Sequence, residues 1–253
     1  VEVLDPRFRK IQASYLYNDT FKIAFVEMAE ASGLRLLQED ERNCCDSTSY
    51  GTGELIKAAM DQGAKKIILG IGGSATNDCG MGMAAALGYQ FLDAEGKDVE
   101  PIGKNLSLVK QIKTDQVDPR VMQVDFEVAC DVISPLHGEY GAAYVFGPQK
   151  GASDEEIVML DQGLKDFNGQ LIETFNEDVH EIYGTGAAGG MGAGALTFLK
   201  GELKPGIELV KEMIGFDKRI KGADWVITGE GKLDFQTLSG KAVKGVVESA
   251  QSQ

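Results

Sequence analysis

The densest run of chemistry-bearing residues in this chain is Gly70-Ile-Gly-Gly-Ser-Ala-Thr-Asn-Asp-Cys-Gly-Met-Gly82. A short apolar segment, Lys65 to Leu69, leads into it, and an apolar stretch, Met81 to Leu87, follows. That order predicts a strand, a tight loop and a helix start, which together gather backbone N–H groups around an anion. Gly70, Gly72 and Gly73 carry no Cβ, so a phosphate or carboxylate can approach the main chain closely. Ser74 and Thr76 add hydroxyl donors, and Asp78 offers a carboxylate to a metal ion. The same run also reads as a buried strand feeding a helix through a structural turn, and the residues alone leave both readings open.

Two further strand-like runs end in acidic or Gly-rich turns. Gln123 to Cys130 runs into Asp131, and Trp225 to Thr228 runs into Gly229-Glu230-Gly231 with Asp234 beyond. Ligands of open α/β sheets collect at the carboxyl ends of strands, so these turns are expected to share one crevice. Gly-rich loops, spaced carboxylates and lysines (Lys150, Lys232, Lys241) suit phosphoryl transfer, which needs backbone donors, a carboxylate for Mg²⁺ and a nearby cation or base. Taken singly, each Asp reads as a cap or turn former and each Lys as a solvated side chain. No Gly-x-x-x-x-Gly-Lys-Ser/Thr loop occurs, and no Gly-x-Ser-x-Gly nucleophile elbow. The rival is a dinucleotide-binding oxidoreductase. Gly70-Ile-Gly72-Gly-Ser-Ala75, with Asp93 for a ribose hydroxyl, fits the looser fingerprint, and Gly184-Thr-Gly186-Ala-Ala-Gly189 fits the strict one.

The elements that must position these residues alternate. Strands are expected at Ala13 to Tyr17, Ile23 to Met28, Lys65 to Leu69, Tyr89 to Leu92, Gln123 to Cys130 and Trp225 to Thr228, and a polar loop at Asn43 to Tyr50. Helices are expected at Glu54 to Gln62, Ser153 to Phe175, Ala195 to Leu199, Gly206 to Ile214 and Lys241 to Ala250. In the longest, Ser153 and Glu156 form a capping box, while Ile157, Leu160, Leu164, Phe167, Leu171 and Phe175 make one buried stripe. The fold class is α/β with a mostly parallel or mixed sheet.

A formal charge of −14 opposes binding to nucleic acid or anionic membranes, and it obliges any anion site to build its own positive potential. Cys44, Cys45, Cys79 and Cys130 show no disulfide framework and no Cys-x-x-Cys spacing, which points to reduced thiols in the cytoplasm. His137 and His180 lie far apart in sequence and show no metal spacing. No apolar run approaches the ~20 residues of a membrane span. The chain starts at Val1 without Met and stops at Gln253 within a helix-like stretch, so a piece of a longer protein is expected.

Six blocks now carry a resemblance. Gly51-Thr-Gly-Glu-Leu-Ile56, Gly70 to Gly82, Ala129-Cys-Asp-Val132, Gly141 to Ala152, Gly186-Ala-Ala-Gly-Gly-Met-Gly192 and Val226-Ile-Thr-Gly-Glu-Gly231, continued by Asp234, Gln236-Thr237 and Gly240-Lys241, resemble bacterial glycerate kinases of the class I type. The resemblance implies a two-domain α/β protein in which one domain is inserted into a Rossmann-like outer domain. Residues 1–195 would be the inserted domain and residues 196–253 part of the outer one. It implies ATP-dependent phosphorylation of D-glycerate with Mg²⁺, most often at the 2-hydroxyl to give 2-phosphoglycerate, and an inactive or weakly active fragment if the chain is only part of the protein. Carried over by position, Gly72, Gly73, Ser74, Ala75 and Thr76 would hold a phosphate or the glycerate carboxylate. Asp78 and Asp131 would be metal ligands or the catalytic base, Lys241 a catalytic cation, and Glu230 and Asp234 would serve the nucleotide phosphates. A small-molecule substrate is the expected partner, and a homo-oligomer is left open. The chain departs from the family's pattern at Cys44-Cys45, Ile133-Ser134 and Val243, and at Cys79, where Gly is usual and a Cβ restricts φ.

Overall fold

The computed structural model describes residues 1–229 and 242–253. They fall into two compact units, Val1–Val128 with Val132–Leu203, and Ala129–Asp131 with Lys204–Gln253. The class is α/β, as expected. The boundary expected after residue 195 falls inside a helix, Ala187–Leu199.

In the first unit β1 (Glu2–Leu4) and β2 (Lys10–Gln12) form an antiparallel pair. The main sheet has the order β3-β4-β5-β8-β9, with β3 at Leu16–Asn18, β4 at Ile23–Glu27, β5 at Lys66–Gly70, β8 at Asp125–Ala129 and β9 at Glu202–Lys204. A separate antiparallel pair joins β6 (Gln90–Leu92) to β7 (Gln111–Lys113). β5 is nearly continuous in apolar residues because Ile67, Ile68 and Leu69 are all buried, as in a strand covered on both faces. β4 and β5 run parallel with Glu27 opposite Gly70, so both chains leave the sheet at the same level. From there β4 enters α1 (Ala29–Ser32) and β5 enters the Gly-rich loop.

Helices α2 (Tyr50–Asp61) and α3 (Met81–Ala86) pack closely. Gly82 makes that approach feasible, since a Cβ there would lie 2.4 Å from Thr48 Oγ1 and 2.6 Å from the Tyr50 nitrogen. After α4 (Ala142–Phe146) comes α5 (Asp154–Phe175), which starts at the expected capping box. Ser153 N–H donates to Glu156 at 2.8 Å and Glu156 N–H to Ser153 Oγ at 3.3 Å. Its stripe from Ile157 to Leu171 is buried, and Phe167 joins Phe91 and Phe198 in the aromatic core. Tyr89 adds its ring to Phe198 and donates its hydroxyl to the Phe198 carbonyl at 2.8 Å. Burying one such ring contributes about 2–3 kcal/mol, so this cluster carries much of the unit's stability.

Three details differ from the sequence reading. α2 begins at Tyr50, before Glu54, because the polar residues ahead of it are buried as hydrogen-bonding partners and not spread in a surface loop. The Gly-rich stretch after Gly184 contains the start of α6 (Ala187–Leu199), which is regular helix only from Met191 onward, earlier than the Ala195 start expected. It is interrupted by a left-handed turn at Ala188, Gly189 and Gly190, with φ of 55°, 70° and 87°. Gly189 is required there: a Cβ would sit 2.0 Å from the Thr76 carbonyl oxygen. Residues Trp225 to Thr228 form no strand; Trp225 is 86% exposed and no described strand pairs with it. In the second unit α7 (Gly206–Ile214), α8 (Phe216–Ile220) and α9 (Ala242–Gln251) pack on one another.

The two histidines meet. His137 and His180 stack with ring centroids 3.6 Å apart and planes 2° apart. Burial, and then the neighbouring His180, hold His137 below its ordinary 6.5, against the opposing pull of Asp161. The folded state therefore resists a proton that the unfolded chain accepts, so stability is full above about pH 6.5 and falls as pH drops through the folded value. Urea unfolding at about pH 7.5 and about pH 5.5 should show a lower midpoint at the acidic value. His137→Gln should flatten that difference; an equal slope in the variant would refute the assignment.

Candidate functional site

The loop after β5 is organised by Asp78, which is fully buried. Its Oδ2 accepts from the Ser49 N–H at 2.7 Å, the Ser49 hydroxyl at 2.7 Å and the Gly82 N–H at 3.2 Å, and its Oδ1 from the Gly80 N–H at 3.2 Å. Ser49 Oγ accepts in turn from the Met83 N–H at 2.9 Å. One carboxylate thus satisfies donors at the starts of both α2 and α3, where helices leave N–H groups unpaired. Burial pushes the Asp78 carboxyl up, and the bonds from Ser49, Gly82 and Gly80 oppose that rise. The anion expected at the start of α3 is therefore the protein's own. With both oxygens committed to four donors, Asp78 does not fit the role of metal ligand or base.

Anion-binding capacity lies earlier in the loop. Two bonds pin it to the end of α1 and the residues just beyond: Leu34 N–H to the Gly73 carbonyl and Ala75 N–H to the Ser32 carbonyl, both 2.9 Å. Gly72 and Gly73 are exposed, Gly73 at φ 70°. The N–H groups of Gly72, Gly73 and Ser74 donate to no described residue. Ala75 spends its N–H inward, and Thr76 is buried with its hydroxyl unpartnered among the described residues, as is the Asn77 carboxamide. Of the five residues expected to hold the anion, Gly72, Gly73 and Ser74 present open donors and Ala75 and Thr76 lie beneath them.

Beneath Ser74 is a residue expected to be a solvated lysine. Lys150 is only 3% exposed and ends a single 3₁₀ turn, Pro148–Lys150. Its ammonium donates to Ser74 Oγ and to the Thr76 carbonyl, each at 2.8 Å. Burial lowers it to about 8, against the pull of Cys44 and Asp78. Nothing local in the sequence marks that burial; only the Gly-Pro before it and the Gly after it hint at a fixed turn. Glu27, which the sequence reading passed over, ends β4 with its carboxylate lying over Gly70 and with no described partner.

Cys79 bears out the concern about its Cβ, for it sits at φ 53°. A left-handed non-glycine residue costs on the order of 1 kcal/mol, tolerated here because the surroundings fix the chain. Its N–H donates to the Gly189 carbonyl at 3.0 Å, which docks the left-handed turn of α6 under the loop.

Asp131 belongs to the second unit, is exposed, and accepts from the Gly206 N–H at 2.9 Å. Glu230, Asp234 and Lys241 lie outside the described residues. Among the described residues no three His, Cys, Asp or Glu side chains group to hold a metal ion. The dinucleotide fingerprints fail as geometry. Ser74 forms a β-bridge with Gly33, and α3 begins only at Met81 with its donors already met. The second fingerprint ends in the left-handed turn, and Asp93 spends its Oδ1 on the N–H groups of Glu95 and Lys97, both 2.9 Å.

A mixed α/β unit with an open-donor glycine loop at the carboxyl end of a parallel strand pair defines the class: an α/β fold of the kind that collects ligands at the carboxyl ends of its strands. Comparison with known proteins narrows it. Residues 1–253 match the model of the Glycerate kinase family. The chain is 48% identical to a glycerate kinase from Bacillus cereus over 98% of this chain and 65% of that protein. It is 45% identical to a glycerate 2-kinase from Escherichia coli K12, again over 98% and 65%. A crystal structure described as glycerate kinase 2 from Salmonella typhimurium LT2 superposes with a TM-score of 0.93 at 44% identity, covering 100% of this chain and 67% of that one. The chain belongs to the glycerate kinase family. It spans about two thirds of the length of the curated relatives it matches.

Asp78→Asn tests the organising role. It replaces an acceptor oxygen by an NH₂ facing N–H donors, and it should destabilise the fold by about 2–5 kcal/mol. Thermal unfolding that stays within a degree of wild type would contradict this.

Proposed function

We propose that the protein containing this chain transfers a phosphoryl group from ATP to D-glycerate, at the 2-hydroxyl. The observation that carries the reading is the loop: three open N–H groups and a hydroxyl above a buried ammonium, in a chain that matches the glycerate kinase family along its whole length. Donors fixed in advance around a phosphate or carboxylate stabilise charge without reorganising during the reaction, which is the main demand of phosphoryl transfer. Gly72, Gly73 and Ser74 bind and orient the anion. Asp78 and the Ser32–Leu34 segment hold those donors in place.

Magnesium accompanies ATP phosphates in such reactions, held by one or two carboxylates and the phosphates themselves. Asp78 does not fit it, since both its oxygens are committed to protein donors, and among the described residues no three His, Cys, Asp or Glu side chains group to hold it. Among the described residues no helix is long and apolar enough to cross a membrane. The four cysteines are free thiols, which supports a cytoplasmic setting, and the charge of −14 supports a small-molecule partner over nucleic acid. The first unit is read as the inserted domain of the family and the second as part of the outer domain.

ADP release with D-glycerate, ATP and Mg²⁺ tests the reading on the protein that contains this chain. Glycerate-dependent release is expected, with ³¹P NMR showing the 2-phosphate ester. Ser74→Ala should cut kcat/KM by about tenfold or more while the fold persists. Absence of ADP release on D-glycerate would discard the reading.

A further inference from the structure

Lys150 poses a physical problem that the loop's glycines do not. Its ammonium is buried, no described carboxylate pairs with it, and both of its partners, Ser74 Oγ and the Thr76 carbonyl, are neutral. Either partner would be met as well by an uncharged donor. Burying an unpaired ammonium costs several kcal/mol, so a full charge here is a cost that the fold's own hydrogen bonds do not offset. The charged or titratable groups that bear on it are Asp78 and Cys44, and neither makes an ion pair with it.

The direction of the Lys150–Ser74 bond matters. An ammonium has three donors and no lone pair, so Ser74 Oγ is the acceptor and its own proton must turn elsewhere. Among the described residues nothing accepts that proton. Ser74 therefore becomes a dedicated donor, on the same short run as the unpartnered N–H groups of Gly72, Gly73 and Ser74 itself.

We propose that Lys150 is the positioning cation of this loop: acting through Ser74, it holds the serine hydroxyl as an outward donor and supplies the positive potential that draws a ligand's carboxylate or phosphate onto Gly72–Ser74. The proposal rests on the reading of the loop as the substrate-anion site. It explains how a chain of charge −14 makes one position attractive to an anion. It also gives a pH response. Lys150 is lowered to about 8, so above that value it becomes an amine with a lone pair. The amine can accept the Ser74 proton, which reverses the hydrogen bond and withdraws both the charge and the hydroxyl donor.

Calorimetric titration of the whole chain with D-glycerate and, separately, with ATP tests this, from about pH 7 to about pH 9.5. Wild type should lose affinity for the loop-bound probe above about pH 8. Lys150→Met should bind that probe about tenfold to a hundredfold more weakly, with no pH dependence in this range, while unfolding cooperatively. A loss confined to D-glycerate makes the ligand group a carboxylate, and one confined to ATP makes it a phosphate; either supports the proposal. Wild-type affinity in Lys150→Met, or a flat wild-type profile, overturns the proposal and leaves the loop reading intact. No binding of either probe by wild type overturns both. Should Lys150→Met fail to fold, the wild-type pH profile decides alone.

Discussion

The structure around the site depends on one buried carboxylate. Asp78 accepts from Ser49 at the start of α2 and from Gly80 and Gly82 at the start of α3, and it does so entirely out of water. A buried charge is stable only when its oxygens are fully bonded, so this one constrains everything that donates to it. It fixes where α3 begins, how closely α3 approaches α2 past Gly82, and therefore the path of the chain between β5 and α3. That path leaves Gly72 and Gly73 at the surface and Ser74 just beneath it, with the N–H groups of all three donating to no described residue.

Opposite charges thus do opposite work around the same loop, Asp78 within it and Lys150 beneath it. The acid is consumed internally and removes a helix start from the list of anion sites. The base, Lys150, is bonded only to neutral groups, so its charge, though favoured by Asp78 and Cys44, makes no ion pair among the described residues. The low dielectric around both strengthens each effect. The left-handed turn at Ala188–Gly190 and the strained Cys79 lock this arrangement from below.

Much of this was legible in the residues. Apolar Lys65 to Leu69 before glycines marked β5 and its loop, the Ser153–Glu156 spacing marked α5, and the ordered blocks pointed to the family the chain belongs to. What could not be read was direction and depth. An Asp after Ser-Ala-Thr-Asn looks equally like a ligand and like a cap, and only the long-range partner Ser49 decides between them. Lys150 reads as solvated because its burial comes from a distant serine and carbonyl, Ser74 and Thr76. The stretch after Gly184 reads as loop because Gly189 and Gly190 make a left-handed turn packed against Thr76 and Cys79, and regular helix follows only after it. Trp225 to Thr228 has the composition of a strand, but a strand exists only by its neighbours.

The most direct test of this account is amide chemical-shift mapping of the ¹⁵N-labelled chain during titration with D-glycerate and with ATP. The account predicts that the Gly72, Gly73 and Ser74 amides move first and furthest, while the Gly80 and Gly82 amides, already bonded to Asp78, stay nearly still. Shifts centred on Gly80 and Gly82, with Gly72 to Ser74 unmoved, would contradict it.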